Sequence, residues 1–266
     1  MKSAIREEFL QTRSLQGLGI IDIHTHMGDV YGTGLSRYTA EECVRIMDEH
    51  GIDSIWCAPH SDLFDPGSVN TAVEQLLRSY PQRIRGYFSF NPNYAERFFE
   101  RLSSIKTGSG YVGIKLLPEY HRTSLEHPAY RKMLDFADSL GLVVLIHTWG
   151  GSSYNSASHV EQLLKRYSNI KLIMGHSVPN ECGRAIELAA RYKNAYLDLC
   201  DIHRHSGIVQ RMVEGAGSEK VLFGTDMPWY DFTYCAGSVI FADITDRDMR
   251  NIFSENAKII LKDIKV

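Results

Sequence analysis

Histidine, lysine and aspartate side chains stand where short apolar segments of the sequence end. They are His24, His26, Lys115, His147, His176 and Asp226. Imidazole nitrogens and a carboxylate oxygen are ligands that Zn²⁺, Mn²⁺, Fe²⁺ or Ni²⁺ accept, and three or four of them leave a coordination position open for water. The sequence therefore predicts a catalytic divalent-metal site, provided that the fold brings these segments together.

The first segment ends in a His-x-His pair. Side chains alternate along a strand, so His24 and His26 face the same side and can converge on one ion. A pair of this kind is by itself also compatible with two hydrogen-bonded histidines that have no catalytic role. The placement of several residues together is stronger evidence for a metal site, because four of the 11 histidines and one acidic residue all follow apolar segments.

The elements that must position these residues recur along the chain. Eight short, β-branched segments cover residues 20–24, 54–58, 84–88, 112–116, 143–147, 171–175, 195–199 and 221–225. Their mean spacing of about 29 residues is that of a βαβ unit. Near-continuous apolar strands indicate a parallel sheet that is buried on both faces. We predict an α/β fold, a single (β/α)8 barrel, in preference to a doubly wound open sheet with a glycine-rich phosphate loop.

Helical patterns lie between the segments. Thr39 and Glu42 form a capping-box pattern at a helix start, and Gly51 follows the end of that helix. Apolar residues at helical spacing predict a helix over Tyr130–Leu140 and a last outer helix over Asp246–Leu261. In a barrel of this type the active-site residues lie at the carboxyl ends of the strands, and the polar residues of this sequence occupy those positions.

Composition limits the function classes. The chain has 266 residues, a net charge of −3 and five cysteines. We predict one domain over residues 1–266, no nucleic-acid partner, and no membrane span or secretory signal. The scattered cysteines predict small buried hydrophobes in a reducing cytoplasm. The expected partner is a small, anionic substrate, and a homo-oligomer is possible.

Several motifs together resemble the amidohydrolase superfamily, in particular its amidohydrolase-2 branch of metal-dependent barrel hydrolases and decarboxylases. They are IDIHTH, GIKLLPEY, VVLIHTWGG, KLIMGHSV, VLFGTDMPW and SENAKIIL, in the order of the family. The resemblance implies that His24, His26, His147 and Asp226 hold a divalent metal, with zinc expected and Mn, Fe or Ni as alternatives. It also implies that His176 lies close by, as a catalytic group or as a ligand of a second metal.

Lys115 separates the one-metal and two-metal forms of this family. In binuclear members a lysine on the fourth strand is carbamylated and bridges two metals, and Lys115 with His176 would complete that arrangement here. The alternative is an ammonium that pairs with Asp226 or with a substrate carboxylate. We expect the ammonium and a single metal.

Two reactions fit such a site. The first expectation is hydrolysis of a small ester, lactone or amide by metal-activated water, with Asp226 taking the proton and His176 stabilising the oxyanion or orienting the water. Short loops and the His-x-His motif favour it. The alternative is a lyase, which decarboxylates or hydrates an aromatic or dienoic acid and uses Asp226 or His176 as the proton donor to carbon. A metal-free binding barrel is a third possibility.

Loop residues after the strands are candidates for substrate contacts. Those expected to bind substrate with Lys115 are Trp149, Tyr154, His203 and Trp229, and the wider set adds His60, Glu119, Tyr120, His121 and His205. Asp22, given the same inward orientation as His24, is expected to orient a metal ligand. His50, His127 and His159 are expected to be solvent-exposed.

Overall fold

Eight parallel strands form the centre of the protein. The structure is a computed structural model, and it describes residues 3–30, 34–35 and 38–264. The strands are β1 (Ile20–Thr25), β2 (Ile52–Cys57), β3 (Ile84–Phe90), β4 (Tyr111–Leu116), β5 (Val143–His147), β6 (Lys171–Gly175), β7 (Ala195–Asp198) and β8 (Val221–Leu222). Each strand pairs with the next in sequence.

The segment after β8 returns to β1 and brings the two ends of the sheet together. Thr25 and Met227 form a parallel bridge, and the Ile23 amide donates to the Phe223 carbonyl over 2.9 Å. The Asp226 amide donates to the carbonyl of His24 over 2.8 Å. The predicted (β/α)8 barrel is confirmed.

Helices connect the strands and cover the barrel. They are α1 (Ala4–Thr12), α2 (Ala40–His50), α3 (His60–Phe64), α4 (Thr71–Ser79), α5 (Ala95–Phe99), α6 (Pro128–Leu140), α7 (Ala157–Arg166), α8 (Cys182–Arg191), α9 (Ile208–Ala216), α10 (Phe232–Ile240), α11 (Asp246–Arg250) and α12 (Asn256–Asp263). In the part of the chain that the structure describes, none of them is long and apolar enough to cross a membrane.

The predicted helix ends are confirmed at α2 and α6. Both bonds of the capping box between Thr39 and Glu42 are present, and Gly51 ends α2 in the left-handed region. The predicted last helix is wrong in one respect. It is interrupted by a π-helical turn at Asn251–Glu255, and the side chain of Asn256 then donates to the carbonyl of Val221 on β8 over 2.8 Å. This bond ties the end of the helix to the barrel wall.

Two apolar clusters lie on the two faces of the sheet. The cluster between strands and helices includes Ile55, Cys57 and Ile114. The second cluster includes Trp56, Tyr87, Leu145 and Ile173 and occupies the barrel interior. Side chains that alternate along each strand thus fill both faces, which explains why the strands read as continuous apolar segments.

The approach of β4 to β5 predicts a severe effect at Gly113. A Cβ atom added there would lie 2.0 Å from the carbonyl oxygen of Val143, which is backbone and cannot move aside. We expect Gly113→Ala to lower the free energy of unfolding by about 3 kcal/mol or more, at the upper end of overpacking effects. Chemical denaturation followed by circular dichroism measures this change.

Gly183 on α8 provides the matched control. A Cβ atom there meets no atom within 4 Å, apart from its own helix and chain neighbours. Gly183→Ala should leave stability unchanged or raise it by about 0.5–1 kcal/mol through helix propensity. Equal stability of the two variants would contradict this close approach of the strands.

Candidate active site

A cavity of about 290 Å³ opens at the carboxyl ends of the strands. Its lining includes His24, His26, Lys115, His147, His176 and Asp226, so the structure brings together the polar residues that the sequence singled out. His176 and Asp226 both have φ of 63°, a left-handed conformation that is costly for residues other than glycine. Strain of this kind concentrates at functional sites, where the surrounding structure holds it in place.

Among the described residues, two groups have possible ligand atoms within 4.8 Å of one another: His24, His26 and Asp226 form one, and His24, His176 and Cys200 form the other. Asp226 Oδ1 lies 3.0 Å from His26 Nε2 and 3.6 Å from His24 Nε2. Burial opposes ionisation of Asp226, but the hydrogen bond with His26 and the neighbouring imidazoles outweigh it and hold the pKa of this carboxyl well below its usual range.

The ring nitrogens of His26 indicate how the group fits a cation. Its Nδ1 lies 2.7 Å from the carbonyl oxygen of Ala58, which can only accept, so the proton is on Nδ1. The other ring nitrogen, Nε2, then faces the Asp226 carboxylate. Two acceptors 3.0 Å apart repel each other unless a positive charge, a proton or a metal ion, lies between them. The donor set therefore fits a divalent cation.

Asp198 at the end of β7 orients His24, and the sequence analysis missed it. Its Oδ2 accepts from His24 Nδ1 over 2.6 Å, and its carboxylate also accepts from the amides of His176 and Cys200. Burial raises the pKa of Asp198 to about 6. Burial, followed by the charge of Lys115, holds the pKa of His24 well below its usual range. His24 is therefore neutral and directs a lone pair on Nε2 into the cavity.

The predicted inward orientation of Asp22 is wrong, although its carboxylate is hydrogen-bonded to the backbone of a predicted metal ligand, His24. Asp22 pairs in register with Ile55, which packs in the outer cluster. The pairing of β1 with β2 is irregular between Asp22 and Thr25, and this irregularity changes the alternation of side chains before His24. The Asp22 carboxylate accepts from the amides of His24 and Thr225 and from the Thr225 hydroxyl. Burial raises its pKa to about 7. It therefore fixes backbone, while Asp198 orients the ring.

Lys115 lies at the base of the cavity and is buried. Its Nζ is 2.6 Å from His24 Nε2, a distance at which an amine or ammonium donates to the imidazole lone pair. Burial lowers the pKa of Lys115, and the charge of Asp226 opposes that shift. The amino group therefore lies beside the cluster of His24, His26 and Asp226, where either a substrate carboxylate or a metal ligand role is within reach.

His147 and His176 form a hydrogen-bonded chain with a cysteine. His176 Nε2 lies 3.0 Å from His147 Nδ1, and His176 Nδ1 lies 3.1 Å from the sulfur of Cys200. If His147 uses Nε2 as a metal ligand, its Nδ1 carries the proton and donates to His176, which in turn donates to Cys200. The chain then has one consistent direction.

The uniform assignment of the cysteines as buried hydrophobes is wrong for two of them. Cys200 makes a polar contact with His176, and Cys182 is half-buried. Burial raises the pKa of the Cys200 thiol well above its usual value, so it remains a neutral thiol. Its position two residues after the end of β7 was the signal that could have identified it.

Aromatic side chains surround the cavity. The lining includes Phe64, Tyr120, Trp149 and Trp229, and Phe64, Tyr120 and Trp229 are exposed at the rim. His60 also lines it. Its Nδ1 donates to the carbonyl of Gly28 over 2.6 Å, and its Nε2 accepts from the Trp229 indole over 3.0 Å. Burial lowers the pKa of His60 to about 4, so this histidine is a neutral support for Trp229.

Other predicted contacts fall outside the described lining of this cavity. Tyr154 is half-buried and uses its backbone to bond Leu125, Glu119 borders a neighbouring depression, and His205 is exposed. His121 contacts the Leu63 carbonyl. The side chain of His203 lies outside the part of the structure that is described.

Of the three histidines expected in solvent, only His127 is exposed. His50 is half-buried, with Nδ1 2.9 Å from the carbonyl of Arg13 and its ring stacked on Phe232, so that prediction is wrong. His159 is also half-buried and contacts the Ser156 hydroxyl. Both rings are held by hydrogen bonds at helix ends or starts, which the spacing alone does not reveal.

Comparison with known proteins gives a match to one family model. A family model described as Amidohydrolase matches residues 21–262. None of the curated proteins matches the chain.

Solved structures share the fold. A 2,6-dihydroxybenzoate decarboxylase from Rhizobium is 15% identical with a TM-score of 0.73, covering 92% of this chain and 98% of that one. A dihydroxybenzoic acid decarboxylase from Polaromonas sp. JS666, with bound manganese and the inhibitor 2-nitroresorcinol, is 17% identical with a TM-score of 0.72 and coverage of 92% and 97%. A 5-carboxyvanillate decarboxylase from Sphingomonas paucimobilis is 15% identical with a TM-score of 0.72 and coverage of 92% and 99%. At these identities the likeness establishes the fold.

Proposed function

The chain belongs to the amidohydrolase family, and from this membership and the geometry of the cavity we propose that it is a metal-dependent lyase that decarboxylates a small aromatic acid. The observation that carries the proposal is the aromatic lining of the cavity that contains the histidine and aspartate cluster. Phe64 and Tyr120 lie 5.7 Å apart between ring centroids, and Trp149 stacks on His147 at 6.0 Å. A planar aromatic ring can pack against these side chains, with its acid group toward Lys115.

The four predicted ligands are His24, His26, His147 and Asp226. These residues would hold a divalent metal, which would supply positive charge for binding an anionic substrate. Zinc remains our first proposal for the ion because imidazole and carboxylate ligands suit it. Manganese, which is bound in the Polaromonas protein, is the alternative.

The reaction requires one proton and no oxidant. The ring carbon that carries the carboxylate takes up a proton, the bond to the carboxylate then breaks, its electron pair returns to the ring, and CO₂ leaves. We assign proton transfer to Asp226, which borders the cavity. Because its carboxyl group is ionised, it first takes up a proton and then delivers it to the ring carbon. His176 is the second choice, because both of its ring nitrogens already lie within hydrogen-bond distance of His147 and Cys200. The proton comes from a substrate hydroxyl group beside the carboxylate or from water.

The proposal is tested by incubating the purified protein, reconstituted with Zn²⁺ or Mn²⁺, with a panel of hydroxylated benzoates that includes 2,6-dihydroxybenzoate and 5-carboxyvanillate. We expect stoichiometric CO₂ and the decarboxylated phenol, measured by a coupled bicarbonate assay and by chromatography. Benzoate itself, which lacks the adjacent hydroxyl group, should be inert. Chelator-treated protein is the matched control.

Hydrolysis, which the sequence favoured, is the second candidate. Its supporting observation is Asp226, a carboxylate with a strongly lowered pKa at the edge of the cavity, where it can accept a proton from water. A panel of aromatic esters and lactones, assayed with the same preparations, separates the two reactions. Hydrolysis of these compounds with no CO₂ from any hydroxybenzoate would contradict the lyase proposal.

A further inference from the structure

A charged cluster that the proposed reaction does not use lies in the same cavity. It consists of Asp201, Arg204 and Tyr230, which all line the cavity together with Lys115. Asp201 and Arg204 follow β7, and Tyr230 follows β8. The cluster thus joins two neighbouring loops on the side where chemistry occurs in barrels of this type.

Asp201 is the fixed member of the cluster. Only 6% of it is exposed, and its φ of 60° places it in a conformation that is unfavourable for a residue with a side chain. One carboxylate oxygen accepts a short hydrogen bond from the Tyr230 hydroxyl. The other lies 3.1 Å from Nη2 of Arg204. Both oxygens therefore have partners, and the carboxylate holds the two side chains in place.

Arg204 is the accessible member. Half of its side chain is exposed, so Arg204 lines the cavity from a solvent-exposed position. A pair exposed to this degree contributes little to folding stability. A buried carboxylate with a strained backbone is costly, and stability gained from the ion pair does not account for it. The carboxylate is explained by a role in binding: it holds the guanidinium in position for an anion, and a preorganised group loses less entropy on binding.

We propose that Arg204 binds a second anionic group of the substrate, so that the preferred substrates are aromatic acids with another carboxylate or an acidic phenol on the ring. This inference rests on the proposed function for the orientation of the first carboxylate, toward Lys115 and the metal ligands. The planar fork of the guanidinium matches a carboxylate with two parallel hydrogen bonds. Arg204 and Lys115 line the same cavity, whose volume of about 290 Å³ suits a ligand with one ring.

The test measures binding and not turnover, so its failure is distinct from failure of the decarboxylase proposal. Isophthalate, with two carboxylates, and benzoate, with one, are titrated against the metal-loaded protein by isothermal calorimetry. Quenching of tryptophan fluorescence is a second readout, because Trp149 and Trp229 line the cavity. We expect isophthalate to bind at least about tenfold more tightly than benzoate, as one charge-assisted contact allows.

Three variants identify the residue responsible. Arg204→Gln should remove the preference for isophthalate and leave benzoate binding within about twofold, since only the second anionic group is affected. Arg204→Lys keeps the charge and loses the fork, and it should retain part of the preference. Arg45→Gln is the control, because Arg45 pairs with Glu49 on the surface of α2. Wild-type protein without a preference, or an unchanged preference in Arg204→Gln, would overturn the proposal.

Discussion

Replacing His24 and His26 together by alanine is expected to remove the bound metal and to lower kcat/KM by at least about 10³-fold, because metal-ion charge contributes several kcal/mol of transition-state stabilisation and each 1.36 kcal/mol is a factor of ten. Nε2 of His24 lies 3.6 Å from Asp226 Oδ1, and Nε2 of His26 lies 3.0 Å from the same oxygen. Without them, the carboxylate of Asp226 and the ring of His147 remain, which is too small a set to hold a divalent ion tightly.

Inductively coupled plasma mass spectrometry measures metal content per chain, and circular dichroism verifies folding. His127→Ala is the matched control, because it removes an exposed imidazole at the start of α6. Its metal content should equal that of the wild type. The same measurement on the wild type separates one metal from two. A folded double variant that retains its full metal content would show that His24 and His26 are not ligands.

Much of the fold was accessible from the sequence because parallel strands are buried on both faces. Each of the eight apolar segments overlaps a strand of the barrel. The largest difference is at β8, which ends at Leu222, although the pattern continues to Thr225. There the regular ladder ends and a side chain also holds the backbone, since the Thr225 amide donates to the Asp22 carboxylate over 3.1 Å. Local hydropathy contains no signal for a bond between residues that are 203 positions apart.

The residues that position the site were harder to predict from the sequence than its central residues. His24, Lys115 and Asp226 could be identified because polar residues at strand ends are exceptions to an apolar pattern. Asp198 has the same signal, an acid at the end of β7, and would have been found by applying that rule to every strand. The inward orientation predicted for Asp22 is wrong for a different reason. Strict alternation assumes a regular strand, and the irregularity in β1 appears only in its pairing with β2.

Substrate chemistry was the least accessible property, because it depends on loops from different parts of the chain. Trp229 and His60 are 169 positions apart and meet through a single hydrogen bond at the cavity wall. Asp201 and Tyr230 meet in the same way across two loops. The sequence shows that these residues follow strands, but their combination into an aromatic and charged lining depends on loop conformation.

Asp226→Asn is expected to lower kcat by about 10²–10⁴-fold, the range for loss of a positioned acid or base. Asparagine keeps the shape of the side chain and an oxygen that can face His26, so part of the metal affinity should persist. The amide cannot carry the proton that either proposed reaction needs. Turnover should therefore fall much more than metal content, which distinguishes proton transfer from a purely structural role.

The control for this substitution is Asp231→Asn, five residues further along the chain. Asp231 caps α10 through a 2.8 Å bond to the Thr233 amide, and asparagine caps helices equally well, so activity and stability should be unchanged. The measurement is kcat at saturating substrate, with metal content determined on the same sample. Equal losses of turnover and metal in Asp226→Asn would make Asp226 a ligand only and transfer proton delivery to His176. In that case His176→Asn, with its metal content retained, should show the large loss of turnover instead, because the remaining proton carrier in the cavity would then be this imidazole.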